Sequence, residues 1–167
     1  MIDWQTIIEE HGPAVWQTAY RLLGNRADAA DCFQDTFVSA LQFCRRRRVR
    51  NFPALLTRLA TARAIDQLRS RFRRANISSD LMDSSPSRNP GPVQAAQQRE
   101  LTDGLRESLS KLPPREAQAF CLRCLNDMSY QQIAQDLGVT ANAAGVLLHR
   151  ARARLKEYFE SPVKANE

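Results

Sequence analysis

Apolar residues recur at spacings of three and four through successive segments of the chain, which predicts helices. Asp3 to Leu23 puts Ile8, Val15, Ala19, Leu22 and Leu23 on one face. Gly12-Pro13 should break or kink that helix near its middle, and Gly24-Asn25 should end it. Asp28 is a natural N-cap for a second helix, Ala29 to Leu41, with Ala30, Phe33, Phe37, Ala40 and Leu41 buried. Asp31, Gln34 and Asp35 line another face of it. Phe52-Pro53 precedes a third helix, Ala54 to Arg74, whose buried side is Leu55, Leu56, Leu59, Ala62, Ile65 and Leu68. Pro92 can open a fourth, running to Ser110 around Leu101, Leu105 and Leu109. Leu112-Pro113-Pro114 turns the chain into a fifth, Arg115 to Leu125.

Ser129 to Leu155 is the most informative stretch. Ser129 and Gln132 have the spacing of an N-cap whose fourth residue reaches back. Ile133, Ala134 and Leu137 share one face, Gly138 can take the left-handed backbone that ends a helix, and Thr140 can cap the next. On that last helix Ala144, Leu148, Ala151, Leu155 and Phe159 form one stripe. Asn142, Ala143, Val146, His149, Arg150 and Arg154 lie opposite. An ordinary helical hairpin with a solvated basic face has the same pattern. Turn, caps and basic face together favour a helix-turn-helix whose second helix enters a DNA major groove.

Charge strengthens that reading. The 167 residues carry a net charge of +6 and a pI near 9.6, which favours an anionic partner, nucleic acid or membrane surface. The positive charge is concentrated: eleven arginines lie between Arg45 and Arg74 (45, 46, 47, 48, 50, 58, 63, 69, 71, 73 and 74) against one acid, Asp66. Arginine donates in a fixed fork and stacks on bases, so this block suits a nucleic-acid backbone. Asn76 to Gln98 is rich in serine and proline and reads as a flexible linker. The expected organisation is all-α: a helical domain over 1–75, a linker over 76–92, a helix-turn-helix domain over 93–160 and a tail over 161–167.

Candidate chemistry is sparse. Cys121-x-x-Cys124 has the spacing of half a zinc site or a redox pair, but a zinc site wants four ligands and the only histidines are His11 and His149. Cys32, Cys44, Cys121 and Cys124 are expected to be reduced, mostly buried thiols. No nucleotide-binding glycine loop and no nucleophile-base pattern occurs, so no enzymatic activity, metal or cofactor is expected. No apolar run reaches membrane-spanning length and Met1-Ile2-Asp3-Trp4 starts no signal peptide, so a cytoplasmic protein without membrane insertion is expected.

LGV, a short capped start and LHRARARL resemble the C-terminal domain of the extracytoplasmic-function (ECF) sigma factors, small two-domain bacterial transcription initiation factors. LPPREAQAF resembles the lead-in to that domain. DAADCFQDTFVSAL resembles the helix that docks on the polymerase clamp, FPALLTRLATARAIDQLRSRFRR the promoter-melting helix, and CRRRRVRN falls where the family has its specificity loop. The resemblance implies that Asp31, Gln34 and Asp35 face polymerase. It implies that Arg45, Arg46, Arg47, Arg48, Arg50, Arg63, Arg69, Arg71, Arg73 and Arg74 serve the minus-ten element and its melting, the loop catching a base flipped from the non-template strand. It implies that Asn142, Val146, His149 and Arg150 serve the minus-thirty-five element. The implied partners are core RNA polymerase, promoter DNA and a cognate anti-sigma factor.

The chain departs from the family at Leu55, where an aromatic is common, and at Ala62, where asparagine is frequent. Many relatives carry cations at the positions of Gly145 and Leu147 and a small polar residue at that of Val146. Weak minus-thirty-five recognition leaning on Arg150 and the backbone is therefore expected, with Gly145 allowing a close approach to DNA. Two other functions fit parts of the chain. A dimeric helix-turn-helix regulator would bind DNA without polymerase, and an RNA-binding protein would use the arginine block.

Overall fold

The computed structural model describes residues 1–78 and 93–161, which form seven helices. They are α1 (Trp4–Leu23), α2 (Arg26–Arg46), α3 (Phe52–Ser78), α4 (Val93–Lys111), α5 (Pro114–Asn126), α6 (Tyr130–Leu137) and α7 (Ala141–Glu160). The fold is all-helical, and α6–turn–α7 is a helix-turn-helix. Helix α3 runs to Ser78, so the first residues expected in the linker are helical, and the rest of that segment, 79–92, lies outside the described residues. Of the expected tail, Ser161 closes α7 and 162–167 lie outside as well.

Local chemistry sets the helix ends. Asp3 caps α1 by accepting from the Gln5 and Thr6 amides at 3.1 and 3.3 Å. Helix α1 continues through Gly12-Pro13, and Gly24 closes it in the left-handed conformation, its amide donating to the Tyr20 carbonyl at 2.8 Å. The cap of α2 is Asn25 rather than Asp28. Asn25 Oδ1 accepts from the Asp28 amide at 2.9 Å, and its Nδ2 donates to the Asp28 carboxylate at 3.0 Å, which holds the capping side chain in place. These hydrogen bonds, followed by Arg71 beside it, hold the Asp28 carboxyl below the usual range.

Three apolar clusters make the core. The first joins α1, α2 and the start of α3 through Ile7, Val15, Phe37, Ala40, Leu55, Leu56 and Ala60. The third fills the helix-turn-helix with Leu122, Ile133, Leu137, Ala144 and Leu148. The second belongs to both halves of the chain: Ala19, Leu22, Leu23, Ala64, Ile65 and Leu68 pack with Leu109, Leu112, Ala117, Cys121, Ala151 and Leu155. Residues from both halves of the chain thus meet in one of the three clusters.

Several positions differ from their predicted faces. Ile7, not Ile8, is buried: Ile7 packs in the cluster with Val15, Leu55 and Leu56, whereas Ile8 is exposed. On α2, Ala29 and Cys32 are buried and Leu41 is exposed. Leu101 is 65% exposed, since packing on α4 begins only near Leu105. Phe159 is exposed, and Tyr158 turns inward instead, its hydroxyl donating to Glu107 at 2.9 Å. Of the thiols, Cys32 and Cys121 are buried, with burial pushing them up to about 11 and about 12, whereas Cys124 is exposed.

Polar contacts close the junction between the halves. Arg106 of α4 donates from Nε to the Leu22 carbonyl at 2.9 Å and from Nη2 to the Arg21 carbonyl at 3.2 Å. Arg69 of α3 donates to the Leu112 carbonyl at 2.7 Å, past the end of α4. Both cations meet the partly negative end of a helix, where carbonyls lack intrahelical partners. A Cβ on Gly24 would lie 2.6 Å from Cζ of Arg106, and Gly24 has a φ of +78°. Gly24→Ala is expected to cost about 1–2 kcal/mol for the backbone conformation alone, and more as Arg106 is displaced. Urea unfolding checks this: the midpoint should fall with an unchanged m-value, and an unchanged midpoint would contradict the packing described.

Candidate polymerase and nucleic-acid interfaces

The outward face of α2 begins with Asp31, Gln34 and Asp35, all exposed. Helical phase carries the same face on to Val38, which is 53% exposed, and to Leu41 at its edge. Acids with an uncovered apolar centre form a surface suited to a protein partner. Neither stands out in the sequence, since Leu41 falls on the expected buried stripe and Val38 is a lone apolar residue outside it. Val38, three residues after Asp35 and seven after Asp31, was the available signal.

The structure divides the arginine block into three groups. Arg45 and Arg46 are exposed on the last turn of α2, which runs on into the segment expected as a loop, and Arg47, Arg48 and Arg50 are exposed on the α2–α3 connection. A groove of about 820 Å³ opens there, lined by Arg45, Arg46, Arg47 and Arg63 with Phe43 and Leu59 at its apolar wall. Arg63 is aimed by its Nε donating to Ser39 Oγ at 3.1 Å. Cations over an apolar wall can take a phosphate and a base together. Arg58 covers the ring of Phe43 at 5.5 Å from its centroid. A second groove, about 490 Å³, runs between this loop and the turn of the helix-turn-helix, with Arg47, Arg48, Arg50 and Arg58 facing Gln135, Asp136 and Gly138. Burial raises the Asp136 carboxyl, and nearby Arg58 opposes that shift.

Arg73 and Arg74 form the second group. They are exposed at the other end of α3, about 30 Å along the helix from Phe52 at 1.5 Å per residue. Arg74 donates to the Ser70 carbonyl and hydroxyl, one turn back, at 3.4 and 3.3 Å. Arg69 and Arg71 are the third group, and the protein itself holds them. Arg69 donates to the Leu112 carbonyl, and Arg71 donates to the Leu23 carbonyl at 3.1 Å and pairs with Asp28. The exposed arginines thus lie in two separated patches, and Arg69 and Arg71 are turned inward. Arg69 follows Ile65 by four residues and Arg71 follows Ala64 by seven, so both fall on the buried stripe.

In the helix-turn-helix, Ser129 and Gln132 form the expected capping box, at 2.9 and 3.1 Å. Gly138 takes a φ of +66°, and Thr140 caps α7 by accepting from the Ala143 amide at 3.1 Å. Ile133, Leu137, Ala144 and Leu148 lock the two helices together. Asn142, Val146, His149 and Arg150 are exposed together on the opposite face of α7. Arg154, also read as outward, forms an ion pair at 3.1 Å with the buried Glu116 of α5. Gly145 does not open a gap: a Cβ there would meet the ring of Tyr130 at 3.7 Å.

The profile of Sigma-70 region 2 matches residues 7–74, and that of Sigma-70, region 4 matches residues 102–155. The ECF RNA polymerase sigma factor SigL of Mycobacterium tuberculosis is 30% identical over 91% of this chain and 86% of its own length. The chain belongs to the ECF sigma factors. The ECF sigma factor SigE of Mycolicibacterium smegmatis is 31% identical over 95% of this chain, which spans 62% of that relative's length. Among solved structures, the sigma factor RpoE in complex with the anti-sigma factor NepR from Bartonella quintana superposes with a TM-score of 0.55 at 23% identity, covering 95% of this chain and 97% of that one; this likeness concerns the fold. Region 2 thus spans α1 to α3 with the acidic face and the basic loop, and region 4 spans the helix-turn-helix. Among the described residues no helix is long and apolar enough to cross a membrane, and no group of His, Cys, Asp or Glu is placed to hold a metal.

The division of the arginines is testable. Changing Arg73 and Arg74 together to serine should make the log-log salt slope of promoter binding by the polymerase-bound chain shallower by about 2, with stability unchanged. Arg71→Ser should instead lower the urea midpoint, since it leaves Asp28 and the Leu23 carbonyl without their partner. An unchanged slope in the double variant would show that the distal patch does not touch DNA.

Proposed function

We propose that this chain binds core RNA polymerase through the exposed face of α2 and brings it to promoters, with region 2 opening the minus-ten element and region 4 reading the minus-thirty-five element. The observation that carries the polymerase contact is an uncovered acidic face with apolar Val38 at its centre, in a chain whose net charge is +6. Asp31, Gln34 and Asp35 make the polar part of the contact, and Val38 and Leu41 its apolar part. The groove under Arg45, Arg46, Arg47 and Arg63 receives the displaced strand, and Arg48, Arg50, Arg73 and Arg74 bind its backbone. A duplex opens when an unstacked base gains a pocket and the phosphates gain cations, and this surface offers both. Asn142, Val146, His149 and Arg150 enter the upstream major groove. The chain works where polymerase is, in the cytoplasm, and contributes no catalytic group of its own. Its further partner is an anti-sigma factor, as RpoE has in NepR.

The shared core adds a constraint. The two promoter elements are about 85 Å apart along DNA, at 3.4 Å for each of about 25 base pairs. A compact fold of this length is about 40 Å across. The two halves must therefore part before both elements can be read at once, and the junction at Arg106 and Arg69 is where they part. A regulator that binds an operator alone finds less support, since such a protein has no use for the acidic face of α2.

Asp35→Arg tests the polymerase contact. Core binding should be lost while helix content and unfolding midpoint stay as they are, because Asp35 is exposed and, among the described residues, no side-chain hydrogen bond holds it. Retained core binding would refute the assignment of this face.

A further inference from the structure

The groove between the basic connection and the helix-turn-helix carries charge that neither half uses on the other. Its first wall is the α2–α3 connection, where Arg47, Arg48 and Arg50 are exposed, with Arg58 of α3 beside them. Val49 and Phe52 pack against the first apolar cluster, and Asn51 Oδ1 accepts from the Ala54 amide at 3.0 Å, so the connection is anchored between its cations. Arg58 sits over the ring of Phe43, which also lines the groove. The second wall is the end of α6, where Asp136 is half-buried between its buried neighbours Ile133 and Leu137. Four guanidinium groups thus face one carboxylate. Neither wall satisfies the other. Among the described residues Asp136 Oδ2 is buried and takes no hydrogen bond. Among them, too, no hydrogen bond or ion pair holds the side chains of Arg47, Arg48 and Arg50.

A buried carboxylate oxygen without a donor costs free energy, and a ligand that brings the donor removes that cost. The groove, about 490 Å³, falls within the about 300–1,000 Å³ of small-molecule sites. Its excess of cations calls for phosphate, which the arginine fork binds with two parallel hydrogen bonds. Its carboxylate calls for N–H donors at the other end of the same molecule. Guanine presents two adjacent donors, its N1–H and its 2-amino group, that match the two oxygens of a carboxylate. Adenine and cytosine put a ring acceptor beside their amino group, and uracil flanks its N3–H with two carbonyls; each of these repels an acceptor. We propose that this groove binds a guanine nucleotide carrying two or more phosphates, with the phosphates on Arg47, Arg48 and Arg50 and the base edge on Asp136. The site does not depend on the promoter assignments above. It exists only while the halves are closed, because each supplies a wall, so its ligand stabilises the closed form. Arg48 and Arg50 are also assigned to the displaced strand, so nucleotide and strand compete for them.

The test is a calorimetric titration of the free full chain at fixed salt with guanosine diphosphate (GDP), adenosine diphosphate (ADP) and inorganic pyrophosphate, helix content being measured first. GDP should bind at one site, at least about tenfold more tightly than either of the others, the effect of hydrogen bonds to a charged group. Asp136→Asn keeps the size of the side chain and replaces one acceptor by a donor. It should bring GDP down to the level of ADP. It should also bind xanthosine diphosphate more tightly than GDP, because xanthine has a carbonyl where guanine has its amino group. Arg48→Ser combined with Arg50→Ser, both at exposed positions, should weaken GDP and pyrophosphate together and leave the preference for guanine. Equal affinities for GDP, ADP and pyrophosphate in the unaltered chain overturn the proposal, the groove then being a phosphate surface without a base site. Absence of GDP binding overturns it as well. Unchanged GDP affinity in Asp136→Asn overturns the base contact. If that variant loses helix content, the double arginine variant decides, and unchanged GDP affinity there overturns the proposal.

Discussion

The carbonyl end of α1 ties the molecule together. A helix leaves its last carbonyls without intrahelical donors, and at a buried junction water cannot serve them all. Here the Arg21, Leu22 and Leu23 carbonyls receive guanidinium groups from two directions, Arg71 of α3 and Arg106 of α4. One comes from region 2 and the other from region 4. Gly24 makes this possible twice over, by turning the chain left-handed and by leaving room for Arg106. Below this polar seal, Leu22, Leu23, Ile65 and Leu68 meet Leu109, Leu112 and Leu155 in the shared core. The seal itself is built from charge-assisted hydrogen bonds, and it lies over an apolar core that parting the halves would expose. Water and a partner protein can replace such bonds at modest cost.

That arrangement decides what the arginine block does. Arg69 and Arg71 neutralise helix ends and hold the closed form, whereas Arg45 to Arg50, Arg63, Arg73 and Arg74 remain outside. The closed form leaves the acidic face of α2, the basic loop and the outer face of α7 uncovered, so each can meet its partner singly. It fixes their spacing at a distance too short for the promoter. Packing between the halves thereby sets whether the surfaces act together.

Much of this was legible in the sequence. Helix ends with chemical punctuation were read correctly: Gly24, Ser129 with Gln132, Gly138 and Thr140 each act through a bond available within a few residues. The outward sets Asp31–Gln34–Asp35 and Asn142–Val146–His149–Arg150 followed from helical phase. Interactions across the fold were not readable in the same way. Nothing local says that Arg106 reaches Leu22, 84 residues away, or that Arg154 pairs with Glu116. The inward turn of Arg69 and Arg71 was readable in phase, but the density of charge around them outweighed it. The cap is Asn25 rather than Asp28 because both are good capping residues and the choice turns on where the helix starts, three residues earlier than its apolar stripe suggests.

The central claim is that one chain holds its two promoter-reading halves closed on a shared core and opens them on DNA. The most direct measurement is the distance between dyes at Glu10 on α1 and Lys156 on α7, in a background with Cys44 and Cys124 changed to serine. In the free chain the distance should lie within the about 40 Å of a compact fold. With core polymerase and promoter DNA it should lengthen toward the about 85 Å that separates the two elements. A distance that is long in the free chain, or that stays short on the promoter, would contradict the account.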